Sequence, residues 1–244
     1  MNEVPTQRVR YLERKIIRVA TESVRRSGSW SWTKRGSVRF GERGVLERLA
    51  AYLGELENPV LVDVGANAGM YVMLGVIVPD LRIIAFEPNP EAFRLLEQNV
   101  EINGLTERVQ MYPVALGEQD GESTLKVPGD ANWWGQATLA DELRRKPFRQ
   151  HGATEVPVLV RRLDDLVDAP VDFIKIDTEG YELSVLKGAQ EVLAACRPGV
   201  QIEIELENLR EFGLNRGMLF DFLIGARYEK FSRVGVREWW AFPK

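Results

Sequence analysis

Residues 60–69 read VLVDVGANAG, a short apolar run that closes on a glycine-rich turn. Val60 to Val64 have the length and composition of a buried strand, and glycines after a strand let the backbone turn sharply. Four more apolar runs follow, at residues 81–86, 109–114, 172–176 and 200–204. Helical patterns lie between them, most clearly at residues 91–103 and 181–195. Strands that alternate with helices predict βαβ units and an α/β fold with a doubly wound, mostly parallel sheet.

The segment before the first strand has a different character. Over residues 6–26 apolar side chains recur at three- and four-residue steps, which predicts an amphipathic helix. Residues 27–32 predict a loop or short hairpin, and residues 44–56 predict a second helix. Residues 1–48 also carry 12 Lys and Arg against 5 Asp and Glu. We therefore predict a basic, helical N-terminal extension over residues 1–57, which either contacts an anionic partner or balances an acidic domain.

The remainder, residues 58–244, is predicted to form one domain. Residues 228–234 and 236–242 flank Gly235, as the strands of an antiparallel hairpin do. The only cysteine of the 244 residues, Cys196, excludes an internal disulfide and a cysteine metal cluster. No apolar run reaches the roughly 18 to 20 residues of a membrane span. We expect a cytoplasmic protein without a transmembrane segment, and a homo-oligomer stays open.

Acidic residues follow the first two strands, at the edge where an open α/β sheet binds its ligands. Asp63 precedes Gly65 by two residues and could hold an ammonium group. Glu87 lies 18 residues beyond Gly69, where an acid accepts hydrogen bonds from ribose hydroxyls. A dinucleotide is the alternative ligand, but its G-x-G-x-x-G fingerprint is missed because Asn67 takes the middle position. S-adenosylmethionine, with an amino-acid end and a nucleoside end, fits better.

A third acidic cluster follows the fourth strand. Asp177, Glu179 and Glu182 surround the predicted strand-to-helix turn. Carboxylates at this density are costly unless they meet cations, a metal or a proton, which favours a functional role for Asp177. Part of the density has a structural explanation, because acids favour a helix N-terminus and Lys175 could pair with Asp177 on the same strand face.

Few residues of the sequence could bind a metal or support catalysis by histidine. Three glutamates at two-residue spacing fall on one face of the fifth strand, which either reaches solvent or lines the site; they are Glu203, Glu205 and Glu207. A divalent metal held by Asp177, Glu179 and Glu203 stays open but is not favoured. His151, the sole histidine, is expected on the surface.

Taken together, the motifs resemble the FkbM family of S-adenosylmethionine-dependent methyltransferases. They are the turn from Asp63 to Gly69, Phe86-Glu87-Pro88, residues 114–117 (VALG), residues 175–182 (KIDTEGYE) and residues 186–188 (LKG). The resemblance covers about residues 58–208 and leaves residues 1–48 outside. It implies a seven-stranded, Rossmann-like class I methyltransferase sheet and S-adenosylmethionine as cofactor. Most often it implies O-methylation of a hydroxyl on a sugar, polyketide or other secondary metabolite.

The resemblance also implies roles for single residues. Glu87 would hold the ribose, Ala115 would lie beside the adenine, and Asp177 and Glu179 would face the methyl group and the acceptor. The glycine-rich turn would surround the methionine end. The predicted cofactor set is Asp63, Gly65, Ala66, Asn67, Gly69, Tyr71, Glu87, Pro88, Ala115 and Asp177. Trp133 and Trp134 depart from the family's pattern and either stack over the acceptor as a lid or pack beneath their loop.

Methyl transfer to a hydroxyl requires an oriented acceptor and a group that takes its proton. We predict that Asp177 or Glu179 is this general base. A small-molecule or glycan acceptor is favoured over nucleic acid, because residues 177–180 (DTEG) lack the Pro-Pro-aromatic sequence of amino methyltransferases and Cys196 is misplaced for cytosine methylation. Two alternatives stay open: an NAD-dependent oxidoreductase, and a methyltransferase-like domain that binds a partner without catalysis.

Overall fold

The computed structural model describes residues 43–244, except 142 and 144 and the side chains of 131 and 132, and the backbone of four short strands nearer the N-terminus. These strands form two antiparallel pairs, β1 (Thr6–Arg10) with β2 (Ile16–Ala20) and β3 (Ser31–Trp32) with β4 (Val38–Arg39). A loop or short hairpin was expected over residues 27–32; of these, Ser31–Trp32 form a strand that pairs with Val38–Arg39, beyond the predicted range, and residues 27–30 lie outside the described residues.

The helix predicted over residues 6–26 is wrong in both places where the structure describes this segment. Thr6 pairs with Ala20 and Arg10 with Ile16, so the chain folds back on itself as two strands. Three of the five residues in β2 are β-branched, which favours an extended backbone over a helix. The other residues of that predicted helix lie outside the described residues.

A seven-stranded sheet forms the centre of the domain. The five parallel strands expected from apolar runs are β5 (Val60–Val64), β6 (Arg82–Phe86), β7 (Val109–Tyr112), β11 (Phe173–Ile176) and β12 (Gly199–Glu203). The predicted hairpin is β13 (Tyr228–Arg233) and β14 (Glu238–Pro243). Their order is β13-β14-β12-β11-β5-β6-β7, and β14 is antiparallel to both of its neighbours. The predicted fold class is confirmed, and the order reverses between β5 and β11, where such sheets bind ligands.

Helices cover both faces of this sheet. They are α1 (Arg43–Gly54), α2 (Pro90–Ile102), α3 (Lys146–His151), α4 (Glu182–Lys187), α5 (Gln190–Cys196), α6 (Leu206–Glu211) and α7 (Arg216–Gly225). One core contains leucines of α1 and α2, and the other contains residues of α4, α5 and α7. The helix predicted over residues 181–195 is divided in two at Gly188, where a Cβ would lie 1.9 Å from the carbonyl oxygen of Gly117.

A small second sheet between β7 and β11 was not predicted. It pairs β8 (Ala115–Leu116) in parallel with β10 (Ala153–Arg161), which is antiparallel to β9 (Gly121–Pro128). Alternating valines at positions 156, 158 and 160 were the available signal, since period-two alternation is typical of a half-buried strand. A 3₁₀ turn (Ala131–Gln136) follows β9 and carries the paired tryptophans. In the part of the chain that the structure describes, no helix is long and apolar enough to cross a membrane.

Candidate active site

A cavity of about 400 Å³ lies beyond the carboxyl ends of β5, β6 and β11. Most of the predicted site residues line it: Gly65, Asn67, Glu87, Pro88, Ala115, Trp133, Trp134, Asp177 and Glu179. Four predicted cofactor residues lie outside its lining: Asp63, Ala66, Gly69 and Tyr71. The cavity volume falls within the roughly 300 to 1,000 Å³ of small-molecule sites.

The turn after β5 forms the floor of the cavity. Gly65 has φ +73°, and a Cβ there would lie 1.8 Å from the carbonyl oxygen of Asp177. The backbone N–H groups of Gly65 and Ala66 both donate to the carbonyl of Phe86, at 3.0 Å each. The turn is thus joined to the ends of both neighbouring strands, which requires glycine at this position.

Glu87, at the end of β6, forms one wall. Its Oε2 accepts a hydrogen bond from the backbone N–H of Asn67 at 2.7 Å, and its Oε1 accepts one from the N–H of Asn89 at 2.8 Å. Burial raises the pKa of Glu87 to about 7, although these two hydrogen bonds oppose the rise. A carboxylate has about four acceptor positions, so each oxygen retains one for a ligand.

The ammonium group that Asp63 contacts belongs to a residue of the protein, Lys175. The Asp63 carboxylate is fully buried, and its Oδ1 lies 3.2 Å from Lys175 Nζ. Lys175 also donates to the carbonyl of Gly65 at 2.8 Å and lies 3.6 Å from Asp177 Oδ2. Burial raises the pKa of Asp63, and the charge of Lys175 opposes this rise. Asp63 therefore supports the turn through Lys175, which bonds to the carbonyl of Gly65. The expected pairing of Lys175 with Asp177 is also present.

The other predicted residues outside the lining also support the turn. The hydroxyl of Tyr71 accepts a hydrogen bond from Gln201 Nε2 at 2.7 Å, and the Tyr71 ring centroid lies 5.1 Å from Lys175 Nζ. At Gly69 a Cβ would lie 2.7 Å from Leu96 Cδ1, so this glycine allows α2 to pack closely on the turn. Ala66 is buried in the core on the same side of the sheet.

Glu179, beyond the end of β11, forms the opposite wall. It adopts a left-handed backbone with φ +56°. Its Oε2 accepts hydrogen bonds from Arg145 Nη1 at 2.7 Å and from Asn208 Nδ2. Burial, followed by the nearby charge of Asp177, raises the pKa of Glu179 to about 8, while Arg145 opposes the rise. Sequence reasoning missed Arg145 and Asn208, because each is about 30 residues from Glu179 and belongs to no local motif.

The paired tryptophans are brought to the cavity by the small sheet. Trp134 also packs against the core of that sheet, so both predicted roles for this residue, cavity wall and packing, are compatible with its position. The Thr138 hydroxyl, in the same segment, donates to the carbonyl of Glu179 at 3.2 Å. This hydrogen bond links the segment that carries the tryptophans to the wall beyond β11.

The single strand face predicted for three glutamates is wrong. Glu203 ends β12 and lines the cavity, but Glu205 precedes α6 and Glu207 lies within it, because the strand ends at Glu203. Arg237, which also lines the cavity, lies 3.7 Å from Glu203 and 2.7 Å from Glu205. No three His, Cys, Asp or Glu side chains of the described residues come together in a way that could hold a metal ion. His151 lies outside the lining, 3.9 Å from Asp130.

Comparisons with known proteins agree with this geometry. Residues 63–231 match the family described as Methyltransferase FkbM domain. Methyltransferase sdnD of Sordaria araneosa is 30% identical over an alignment 161 residues long, which covers 55% of this chain and 61% of that protein. Hexuronic acid methyltransferase AglP of Haloferax volcanii is 27% identical over 143 residues, which are 56% of this chain and 52% of that protein.

Among solved structures, the methyltransferase FkbM from Methylobacillus flagellatus KT has a TM-score of 0.51 and 20% identity, covering 79% of this chain and 50% of that one. This likeness shows the fold, a seven-stranded class I methyltransferase sheet. The chain spans about three fifths of the length of sdnD and half that of AglP. Because the family match covers more than two thirds of the chain, the protein belongs to the FkbM methyltransferase family.

Proposed function

We propose that the protein transfers a methyl group from S-adenosylmethionine to a hydroxyl oxygen of a small-molecule or glycan acceptor. The observation that carries the proposal is that two carboxylates line one cavity, Glu87 beyond β6 and Glu179 beyond β11. Each of them keeps at least one hydrogen-bond acceptor position for a ligand. We propose that Glu87 accepts hydrogen bonds from the ribose hydroxyls and that Glu179 accepts the proton of the acceptor hydroxyl.

The cavity fits this cofactor in charge and in hydrogen bonding. Four carboxylates line it, from Glu87, Asp177, Glu179 and Glu203, against one cation, Arg237, among the described residues. Although Glu87 and Glu179 are only partly ionised at neutral pH, acidic groups outnumber the basic one, which favours a cationic sulfonium over an anion. Glu87 keeps two acceptor positions for neighbouring hydroxyls, and Gly65 leaves the turn without a side chain. When bound, the cofactor supplies an electrophilic methyl group.

The residues beyond β11 would act on the acceptor. The Oε2 atom of Glu179 is held by Arg145 and Asn208, which leaves Oε1 to accept the proton of an acceptor hydroxyl. A pKa of Glu179 near 8 gives the carboxylate high proton affinity while leaving part of it ionised at neutral pH. Asp177, which also lines the cavity, is the second candidate for this role.

We propose a sugar or similar polyol as the acceptor. Trp133, Trp134 and Leu125 give the outer cavity apolar surface, and Gln136 and Thr138 add hydrogen-bonding groups beside it. Flat apolar surfaces next to polar groups suit a sugar ring. The relative AglP is named for a hexuronic acid substrate, which supports this acceptor class.

We keep the division into an extension (1–57) and a catalytic domain (58–244) as a proposal. Helix α1 falls on the extension side but packs Leu46, Leu49 and Leu53 fully buried in the domain core. We also propose that the enzyme acts in the cytoplasm.

Calorimetry and product analysis test the proposal together. We expect S-adenosylmethionine and S-adenosylhomocysteine to bind at micromolar concentration and NAD to give no heat. Mass spectrometry should then find a gain of one methylene unit on a hydroxylated acceptor from a panel of sugars, polyketides and amines. Binding of NAD alone would favour the oxidoreductase, and methylation of amines alone would refute the hydroxyl acceptor. Cofactor binding without transfer to any acceptor would favour the non-catalytic alternative.

A further inference from the structure

Glu179 is the end of a buried chain of charges that lies behind the cavity wall. Arg145 Nη1 donates to Glu179 at 2.7 Å, and Arg145 Nε donates to Glu211 Oε2 at 2.9 Å. The backbone N–H of Arg145 donates to the other oxygen of Glu211 at 3.2 Å. The side-chain amide of Asn208, one helical turn before Glu211 on α6, donates a second hydrogen bond to Oε2 of Glu179. Three distant segments thus meet at one carboxylate.

This arrangement is expensive for a structural contact. The side chains of Arg145 and Glu211 are only 5% and 2% exposed, so two charges are removed from water. Arg145 Nη2 is also buried and has no hydrogen-bond partner among the described residues. Apolar side chains of similar size would hold three segments together at lower cost. We therefore explain the buried charges of Arg145 and Glu211 by their electrostatic effect on the carboxylate of Glu179.

We propose that Arg145 and Glu211 are positioning residues that fix the Glu179 carboxylate and set its proton affinity. The proposal rests on the role of Glu179 as general base given above. Glu211 holds Arg145 through two hydrogen bonds, Arg145 holds Oε2 of Glu179, and Oε1 is left for the acceptor. Neither Arg145 nor Glu211 lines the cavity.

The charges around Glu179 determine the sign of each effect. Asp177 and Glu182 raise its pKa, and Arg145 lowers it. On the cavity side, Glu203 and Arg237 form a pair of opposite charges. Removing the positive charge of Arg145 therefore stabilises the protonated form of Glu179. Removing the negative charge of Glu211 has the opposite effect, because Arg145 then interacts with one carboxylate instead of two.

The same segment carries the acceptor surface. Thr138, which bonds the backbone of Glu179, and Arg145, which bonds its side chain, both belong to the stretch between β9 and α3 that also bears the tryptophans. Glu179 is consequently held in place by the part of the chain that would contact the acceptor.

Carbon-13 NMR of the carboxyl groups in the full-length protein tests the proposal without cofactor or acceptor. The Glu179 signal is assigned by its loss in Glu179→Gln, and its titration is followed in Arg145→Met, Arg145→Lys and Glu211→Gln. We expect the pKa of Glu179 to rise by about 1 to 3 in Arg145→Met, to rise less in Arg145→Lys, and to fall by about 1 in Glu211→Gln.

The matched control is Arg162→Met. Arg162 pairs at 2.8 Å with Asp164, whose side chain is fully buried, and it lies outside the cavity lining. We expect no change in the Glu179 titration. Equal pKa values in all variants, or shifts of the same sign for Arg145→Met and Glu211→Gln, would overturn the proposal; if Arg145→Met does not fold, Glu211→Gln alone decides. Because no cofactor is added, these outcomes are independent of whether methyl transfer is found.

Discussion

The two walls of the cavity hold their carboxylates in different ways. Glu87 is held by the backbone N–H groups of Asn67 and Asn89, which lie 20 and 2 residues away along the chain. Glu179 is held by charged and amide side chains of Arg145 and Asn208, which lie 34 and 29 residues away. The first wall is built from the turns that follow two consecutive parallel strands, β5 and β6, and the second depends on three separate segments.

This difference indicates which part of the site is general and which is particular to this protein. Backbone amides in a turn can hold one carboxylate whatever the neighbouring side chains are, so the wall beyond β6 suits a cofactor shared by many enzymes. Side chains from the stretch between β9 and α3 and from α6 can change without altering the seven-stranded sheet. We therefore propose that the wall beyond β11 is the place where acceptor and reactivity are set.

The largest expected effect comes from the close approach between the turn after β5, the floor of the cavity, and the carbonyl of Asp177 in the wall beyond β11. In Gly65→Ala the new Cβ would overlap the carbonyl of Asp177, 1.8 Å away, at φ +73°. We expect the ends of β5 and β11 to separate, cofactor binding to be abolished and the melting temperature to fall. Thermal unfolding measures the melting temperature, and calorimetry measures cofactor binding.

The matched control for that change is Gly104→Ala. Gly104 also has a positive φ, +67°, but a Cβ there would meet nothing within 4 Å. It should cost only about 1 to 2 kcal/mol of stability and leave cofactor affinity intact. Equal losses in the two variants would show that backbone strain, and not the close approach between this turn and Asp177, explains the result.

The next effect separates the walls by function. Glu179→Gln keeps the size of the side chain but removes its ability to accept a proton. We expect turnover to fall by about 10² to 10⁴ with unchanged cofactor affinity, measured by product formation and calorimetry. Asp177→Asn is the comparison: if it produces the larger loss while Glu179→Gln remains active, Asp177 is the base and the wall beyond β11 has been misassigned.

On the cofactor wall, Glu87→Gln should act on affinity. A Gln amide must turn its NH₂ toward one of two backbone N–H donors, so one hydrogen bond is lost together with the charge. We expect affinity for S-adenosylhomocysteine to fall by about 10- to 100-fold. Glu97→Gln, at an exposed position on α2, is the control and should bind normally.

The pH dependence of binding follows from the same carboxyl. Burial raises the pKa of Glu87 from 4.5 to about 7, so its ionised form, which we propose as the acceptor of ribose hydrogen bonds, dominates only above pH 7. Affinity should therefore decrease by about tenfold from pH 8 to pH 6 in the wild type and stay level in Glu87→Gln. A wild-type affinity that is independent of pH would show that the ionisation of Glu87 is not linked to cofactor binding between pH 6 and pH 8.

Sequence reasoning recovered the first wall better than the second for a physical reason. The runs that became β5 and β6 are apolar and short, and the residues that follow them meet because neighbouring parallel strands end at the same edge. Glu87 and Asn67 could thus be placed together from local patterns. Asp63 was assigned to the ligand, but Lys175, two strand positions before Asp177, already neutralises it.

The second wall could not be derived in this way. Arg145 precedes a short helix in a polar stretch, and Asn208 and Glu211 lie on a six-residue helix with no motif. Nothing local shows that they converge on Glu179, since the contacts depend on the docking of the small sheet. The same limit explains the error near the N-terminus, where the spacing of apolar residues in β1 and β2 was compatible with either helix or strand.

The smallest expected effect tests whether the stretch between β9 and α3, which bears the tryptophans, belongs to the wall beyond β11. In Trp134→Ala the cavity loses one aromatic surface, which should raise the acceptor KM by about 2- to 12-fold and leave the cofactor affinity unchanged. Trp134→Phe keeps a ring and should lie between the two. Trp239, which packs on Phe220 outside the cavity lining, supplies the control Trp239→Ala. A change in cofactor affinity with an unaltered acceptor KM would place Trp134 with Glu87, and the division of the cavity into a cofactor wall and an acceptor wall would then be wrong.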